Sequence, residues 1–177
     1  QGRYQCDGKL GPGARGHEVV VASRTGAPID GLATLAVDAT DVDALTAAAR
    51  GMASIINAVN PKSYQHWDKD WPPIAHALLA AAERTGAGLV TISNLYAYGQ
   101  VDAPMTESTP LRPNGIKGQV RATMWTDALA LHTSGRIRAT SPARRRAGGA
   151  AHHARAPPVQ QLGGQRDQGG LRTAFCP

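Results

Sequence analysis

The chain has 177 residues, enough for one domain with a substantial core, and a formal net charge of +6. Apolar residues make up 42% of it but aromatic residues only 5%, so the core must be built from many small aliphatic contacts. No apolar run approaches the roughly 20 residues of a membrane span, and no signal peptide is recognisable, so we expect a cytoplasmic protein with no membrane partner.

The positive charge is concentrated near the C-terminus. Residues 141–177 contain six Arg and one Asp, a balance of +5 that leaves +1 for the first 140 residues. The three Arg at 144–146 could contact a phosphate backbone without sequence specificity, but no aromatic interleaving or DNA-reading element accompanies them. Nucleic acid is therefore a disfavoured partner.

The first half of the chain predicts two strands and a helix after an irregular, Gly-rich segment at 1–16. Residues 18–23 (EVVVAS) form a short run rich in β-branched residues, which predicts a strand buried on both faces. After a loop, residues 33–37 (ATLAV) predict a second strand. An amphipathic helix then has a polar start at Asp41 and a Gly stop at Gly51.

The alternation of strand and helix continues towards residue 140. A helix is predicted over 72–85, with Pro72 in its first turn and Gly86 just beyond its end. Strands alternating with helices of this length indicate parallel pairing, so we predict an α/β protein with a Rossmann-like doubly wound parallel sheet. The remaining predicted elements are strands at 54–59 and 88–93, a loop over 94–118, a helix at 119–134 and a short strand at 136–139.

The sequence changes character at Ser141, where Arg, Ala, Gly, Pro and Gln replace the periodic pattern. Few sizeable apolar residues remain, so residues 141–177 are predicted to form a basic, disordered tail. Cys6 and Cys176 stand at opposite extremities without metal-ligand spacing, and we expect no metal site. The predicted domains are therefore an N-terminal segment (1–16), a folded domain (17–140) and this tail.

Ligands of open parallel sheets bind at the carboxyl ends of the strands. Ser23 and Arg24 follow the first predicted strand, where they could hold the 2′-phosphate of NADP, although Arg24 could equally be a solvated turn residue. Asp38 and Ala39 follow the second strand, where a carboxylate can accept from an adenine amino group. An acid after the first strand would accept from the 2′-hydroxyl of NAD, so Arg24 with Ser23 at that position favours NADP as the cofactor.

The third predicted strand ends in Ala58, Val59 and Asn60, small residues that would let a cofactor approach the backbone. A plain turn explains them equally well. A polar and aromatic segment follows. It could line a substrate pocket, or its two Trp could simply cover a helix start, and its residues are Tyr64, His66, Trp67, Asp68, Asp70 and Trp71.

Residues 17–140, roughly 70% of the chain, resemble the extended short-chain dehydrogenase/reductase family of NAD(P)-dependent epimerases and dehydratases. The segments that carry the resemblance are GHEVVVASRTG, AVDATDVDALTAAARG, IINAVNP, AAERTGAGLVTISNLYAYG and GIKGQVRATMW. Within them, VDATD resembles the adenine site of the family and SNLYAYG resembles its SSxxVYG segment. The resemblance implies a Rossmann-like fold, a nicotinamide cofactor and a small-molecule substrate.

Members of the family use a Tyr whose phenol has its pKa lowered by a nearby Lys. This Tyr exchanges a proton with the substrate hydroxyl as hydride moves to or from nicotinamide. Tyr98 matches the Tyr-Gly motif, which places Asn94 at the usual Ser/Thr position and Ser93 just before it. Lys117 matches the Lys of YxxxK, which also reaches the cofactor ribose. Pro113 stands where the Tyr is expected and cannot transfer a proton.

Two further departures bear on function. Tyr96 and Tyr98 are alternative acids, or they pack beside the strand end. The family's GxxGxxG phosphate turn belongs in the roughly 20 to 25 residues before Gly16 and is absent, since the Gly residues of 1–16 neither follow a strand nor open a helix. We therefore expect an incomplete sheet with its first strand missing and long edges exposed. A shifted reading frame or a truncated start would produce both flanks.

Three hypotheses follow. The leading one is an NADP-preferring oxidoreductase or epimerase/dehydratase-like protein acting on a hydroxyl or keto group of a small metabolite, with a homodimer left open. Pro113 and Asn94 favour a second, a non-catalytic dinucleotide-binding or regulatory protein. The third is an inactive, damaged relative of such an enzyme. Lys117 is predicted both to contact the cofactor and to take part in catalysis.

Overall fold

A computed structural model describes residues 17–29, 31–106, 108–142 and 171–175 of the chain. The predicted N-terminal segment, 1–16, and residues 143–170 of the predicted tail lie outside the described residues. The elements are β1 (Val19–Ser23), β2 (Ala33–Ala36), α1 (Val42–Ala49), β3 (Met52–Asn57), α2 (Trp67–Thr85), β4 (Gly88–Thr91), α3 (Ile116–Thr133), β5 (Ala139–Thr140) and β6 (Leu171–Phe175). A single 3-10 turn lies at Tyr96–Tyr98.

The six strands form one sheet in the order β2-β1-β6-β3-β4-β5, and every pair is parallel. This is the 3-2-1-4-5-6 order of dinucleotide-binding folds, with β6 in the position of the first strand. The predicted α/β, Rossmann-like parallel sheet is therefore confirmed.

Strand β6 corrects the prediction for the end of the chain. Thr173 lies between Val20 of β1 and Ile55 of β3, so the sheet is continuous across its centre. A first strand is missing from its usual place in the sequence, but residues 171–175 take its position in the sheet. The predicted disorder of these five residues is wrong, as are the predicted exposed edges of β1 and β3. Two facing rows of unpaired N–H and C=O groups can accept a short extended segment whatever the composition around it.

Helix α2 begins five residues earlier than predicted. Pro72 and Pro73 lie inside the helix rather than in its first turn. A proline has no N–H to donate to the carbonyl four residues earlier, so the carbonyls of Asp68 and Lys69 lose their helical hydrogen bonds. These residues are exposed, so water can satisfy the freed carbonyls. The C-terminal prediction is confirmed, since Gly86 ends the helix in the left-handed conformation with φ of 72°.

Helix α2 packs between α1 and α3, and together they bury one face of the sheet. Many core positions are Ala, as the composition indicated. The largest fully buried side chains are nevertheless aromatic, because Trp67 and Trp71 of α2 are 1% and 0% exposed. Among the described residues, no helix is long and apolar enough to cross a membrane.

Candidate functional site

A backbone hydrogen bond joins the carboxyl ends of β1 and β2. The Val37 N–H donates to the Ser23 carbonyl at 2.8 Å. The Gly26 N–H donates to the Ser23 hydroxyl at 3.1 Å, which fixes that side chain in the turn. Arg24 is exposed beside it. Ser23 and Arg24 thus lie at the strand end where the sequence predicted them.

Asp38 lies at the adjacent strand end, beyond β2. Its Oδ1 accepts from the Thr40 N–H at 2.9 Å and from the Thr40 hydroxyl at 2.8 Å. These two bonds, with the charge of Arg24 as a smaller cause, hold the pKa of Asp38 below its usual value. An oriented carboxylate and an exposed cation therefore share this edge of the sheet, and Ala39 packs against the core beside them.

The end of β3 depends on a residue that the sequence analysis missed. Asn57 is 1% exposed, and its Oδ1 accepts from the Val59 N–H at 3.1 Å. The Asn57 carbonyl accepts from the Ile92 N–H at 2.9 Å, which joins β3 to the chain beyond β4. Ala58 and Val59 are half-buried at this strand end and Asn60 is exposed. Small residues therefore follow β3, as predicted, and a buried amide orders them.

Ser93 and Asn94 follow β4. The Ser93 N–H donates to the Pro142 carbonyl at 3.1 Å, and the Ser93 hydroxyl donates to the Asn94 carbonyl at 3.4 Å. Asn94 Oδ1 accepts from the Tyr96 N–H at 3.1 Å, which starts the 3-10 turn that contains Tyr98. The structure thus brings Ser93, Asn94 and Tyr98 into one ordered segment.

Helix α3 begins in close contact with that turn because residue 118 is Gly. A Cβ there would lie 2.5 Å from the Tyr96 carbonyl oxygen and 2.9 Å from Pro113 Cβ. Lys117, one residue earlier, directs its Nζ to 4.7 Å from the centroid of the Tyr64 ring, a cation–π contact. Lys117 therefore lies beside an aromatic ring, and Pro113 offers no hydroxyl to pair with it.

A second residue missed by the sequence analysis is Arg121 of α3, which is 6% exposed. Its guanidinium carbon lies 4.0 Å from the Trp71 ring centroid and 4.9 Å from that of Trp67. Burial lowers the pKa of Arg121 to about 10, so the group stays charged at neutral pH. We call Tyr64, Trp67, Trp71, Tyr96 and Arg121 the aromatic–arginine cluster.

Tyr64 stacks on Trp67 with 4.9 Å between centroids, and Tyr96 lies 6.1 Å from Trp67. His66 and Asp68 are exposed, whereas Trp67 and Trp71 are fully buried. The segment that could have lined a substrate pocket is thus divided between surface and core. Among the described residues, no group of three His, Cys, Asp or Glu could hold a metal ion.

No family model matches the chain, and no curated protein matches it. Solved structures do share its fold. A dTDP-glucose 4,6-dehydratase double mutant from Streptomyces venezuelae, with NAD bound, is 24% identical with a TM-score of 0.59, over 71% of this chain and 45% of that one. A UDP-glucose-4-epimerase from Stenotrophomonas maltophila, also with NAD, is 17% identical with a TM-score of 0.62, over 73% and 46%.

A short-chain dehydrogenase/reductase superfamily protein from Agrobacterium tumefaciens, with NAD bound, is 18% identical with a TM-score of 0.55, over 71% of this chain and 48% of that one. The chain spans about half the length of these three structures. The described part of the chain has the Rossmann-like fold found in these NAD-binding dehydratase, epimerase and short-chain dehydrogenase/reductase proteins.

Proposed function

We propose that this chain is an NADP-preferring oxidoreductase or epimerase/dehydratase-type protein that acts on a hydroxyl or keto group of a small metabolite. The observation that carries the proposal is the pair formed by Arg24 and Asp38, which lie at the carboxyl ends of adjacent strands and interact electrostatically. A parallel sheet of this order binds dinucleotides at that edge. Its relatives in fold are recorded with NAD bound.

The residues at these strand ends fit the adenosine half of the cofactor. Neither of the two salt bridges between described residues involves Arg24, so its guanidinium is available to a 2′-phosphate, with the Ser23 hydroxyl beside it. The ionised Asp38 can accept from the adenine amino group. Ala39, Ala58 and Val59 are small enough for close approach of the cofactor.

The nicotinamide half of the cofactor would lie towards Ser93 and Lys117. Lys117 would donate to the ribose hydroxyls, while Ser93, Asn94, Asn60 and Tyr98 would contact the substrate or the nicotinamide end. The bound cofactor would supply or accept a hydride. The described residues contain no Gly-rich turn at the end of β6, so none of them is assigned to the pyrophosphate.

A specific observation favours a second candidate, a non-catalytic dinucleotide-binding or regulatory protein. Pro113 has no acidic proton, and the Lys117 ammonium lies 4.7 Å from the centroid of the Tyr64 ring. Proton transfer by the usual Tyr and Lys pair is therefore excluded at these positions. If Tyr96 or Tyr98 does not replace that Tyr, the chain binds the cofactor without turning over a substrate.

Calorimetric titration of the full chain with NADP+ and with NAD+ tests cofactor binding. We expect tighter binding of NADP+, and Arg24→Ala should weaken it by roughly 5- to 30-fold while leaving NAD+ little changed, because one charge-assisted contact is lost. Arg50→Ala is the matched control, since Arg50 is exposed between the end of α1 and the start of β3, away from the carboxyl ends of the strands. Equal affinity for the two cofactors would remove the NADP preference, and no binding of either would refute the proposal.

Turnover separates the two candidates. Turnover is followed by the absorbance of NADPH, which is consumed as keto compounds are reduced and is formed from NADP+ as hydroxy compounds are oxidised, at cofactor concentrations that saturate the binding measured above. Turnover that is lost in Tyr98→Phe or Tyr96→Phe supports the enzyme and identifies its acid. Tight binding without turnover on any compound supports the binding protein.

A further inference from the structure

Lys117 lies in the first turn of α3, where an ammonium is poorly placed. The N-terminal end of a helix carries a partial positive charge that repels a cation, and no acidic residue stands in this turn to compensate it. Lys117 is nevertheless half-buried, and neither salt bridge between described residues involves it. Its Nζ lies over the ring of Tyr64, 4.7 Å from the centroid. The aromatic ring therefore supplies the attraction that the helix start does not.

The Tyr64 ring is held in place by contacts that do not involve Lys117. It stacks on the indole of Trp67, with 4.9 Å between centroids and 29° between planes. Trp67 is fully buried, and its ring centroid lies 4.9 Å from the guanidinium carbon of Arg121. Arg121 follows Lys117 by four residues, so both cations lie on one face of α3 and both contact aromatic rings. The segment that carries Tyr64 is therefore fixed against the helix that carries Lys117.

Tyr64 and Lys117 both belong to segments that leave the sheet at the carboxyl ends of strands. Tyr64 lies between β3 and α2, and Lys117 lies at the start of α3, which follows β4. Ligands of an open parallel sheet enter at this edge. Tyr64 is 46% exposed, so the pair borders solvent rather than the core. A ligand at this edge would therefore meet the Lys117 ammonium in the orientation that the Tyr64 ring sets.

We propose that Tyr64 is a positioning residue whose ring holds the Lys117 ammonium ready for the nicotinamide-side ribose of the cofactor. This inference rests on the proposed function, which assigns Lys117 to the ribose hydroxyls. A Lys side chain loses much rotamer freedom when it is ordered. Because Tyr64 orders Lys117 before the cofactor arrives, binding loses less entropy. NAD+ and NADP+ share this ribose, so Tyr64 should support both cofactors equally, whereas Arg24 distinguishes them.

Calorimetric titration of the full chain with both cofactors tests the proposal. Tyr64→Leu should weaken the binding of NADP+ and of NAD+ by the same factor, roughly 2- to 5-fold, which is the value of a partly exposed cation–π contact. Tyr64→Phe keeps the ring and should bind both cofactors like the wild type. In a Lys117→Met background, Tyr64→Leu should cause no further loss, because the group that it positions is gone. An unchanged affinity in Tyr64→Leu, or a loss of the same size in both backgrounds, would overturn the proposal.

A measurement without cofactor separates failure of this inference from failure of the proposed function. Lysines are acetylated with limiting acetic anhydride, and the modified peptides are counted by mass spectrometry, with the exposed Lys69 as the internal reference. Lys117 should react roughly 2- to 5-fold faster in Tyr64→Leu than in the wild type or Tyr64→Phe, because the ring no longer holds the ammonium. Equal rates in all three chains would overturn the inference while the proposed function stands. A rate difference in a chain that binds neither cofactor would instead refute the proposed function, and with it the role of this contact in binding.

Discussion

The carboxyl ends of β1 and β2 and the aromatic–arginine cluster satisfy their polar groups in opposite ways. At the strand ends, Asp38 is exposed and both of its hydrogen bonds are made within two residues of the chain. In the cluster, Arg121 is buried and its nearest groups are aromatic rings from another helix. Local bonds on the surface leave the strand ends open to a ligand, whereas aromatic rings enclose the guanidinium of Arg121.

The comparison separates two environments for a positive charge. An exposed charge such as Arg24 costs little when no ligand is present, because water solvates it. Burying a guanidinium costs several kcal/mol by the usual estimates, and the cation–π contacts of Arg121 with Trp67 and Trp71 offset part of this cost. The strand-end site should therefore affect binding and hardly affect stability, and the buried guanidinium should do the reverse.

The largest expected effect comes from the strand that joins the two regions. Thr173→Pro removes a backbone N–H from the centre of the sheet, where residue 173 pairs with both Val20 and Ile55. We expect the free energy of unfolding to fall by about 3 kcal/mol or more, which is roughly 6 to 12 °C in melting temperature for a chain of this length. Thermal denaturation followed by circular dichroism measures it.

Thr173→Val is the control for that substitution because it keeps the N–H and a β-branched side chain. It should melt within about 2 °C of the wild type. A proline variant that melts like the wild type would show that residues 171–175 do not hold the central position in solution. The sheet would then carry the exposed edges that the sequence predicted.

A smaller effect is expected where α3 meets the Tyr96 turn. Gly118→Ala places a Cβ 2.5 Å from the Tyr96 carbonyl oxygen, so the helix start or the turn must shift. The expected loss is about 1 to 3 kcal/mol of unfolding free energy, even though Ala favours a helix interior over Gly. Urea denaturation measures this loss. Gly115→Ala is the matched control, since a Cβ there meets nothing within 4 Å and the backbone is extended.

If Gly118→Ala proves as stable as the control variant, the close contact between α3 and the turn is absent in solution. The position of Lys117 beside the Tyr64 ring would then lose its support.

Sequence reasoning found what local chemistry determines. The run of Val at 19–21 predicted β1, and Asp41 predicted the start of α1. Asp41 caps that helix, because its Oδ1 accepts from the N–H groups of Asp43 and Ala44 at 2.9 Å. Turn residues bound these elements, so their positions were correct to within one or two residues. The residues after each strand could likewise be named in advance, because a parallel sheet exposes them at one edge.

Features that depend on distant contacts were missed. Strand β6 is five residues long in an Arg- and Gly-rich region, and only the open position between β1 and β3 makes it a strand. Pro72 resembled a helix start because nothing local shows that Trp67 is buried. Arg121 did leave a signal, since it lies three residues before Met124 and seven before Ala128 on the inner face of α3. A cation on an apolar stripe is the pattern to look for.

The smallest expected effect tests the strand ends alone. The pKa of Asp38 lies below its unfolded value of 3.8, so its charge stabilises the fold above that pH, and this contribution is lost as the pH falls through the lower folded value. Asp38→Asn keeps an oxygen for the Thr40 N–H but removes the charge. Because the side chain is exposed and screened, we expect a wild-type advantage of about 0.5 kcal/mol or less at pH 7, which shrinks as the pH falls below 3.8. Urea denaturation at neutral and at acid pH measures this gap, with Asp102→Asn, an exposed loop substitution, as the reference. A gap that persists at low pH would mean that the Asn side chain fits the turn poorly, and the stabilisation would then come from shape rather than from the ionised carboxylate proposed to meet the adenine.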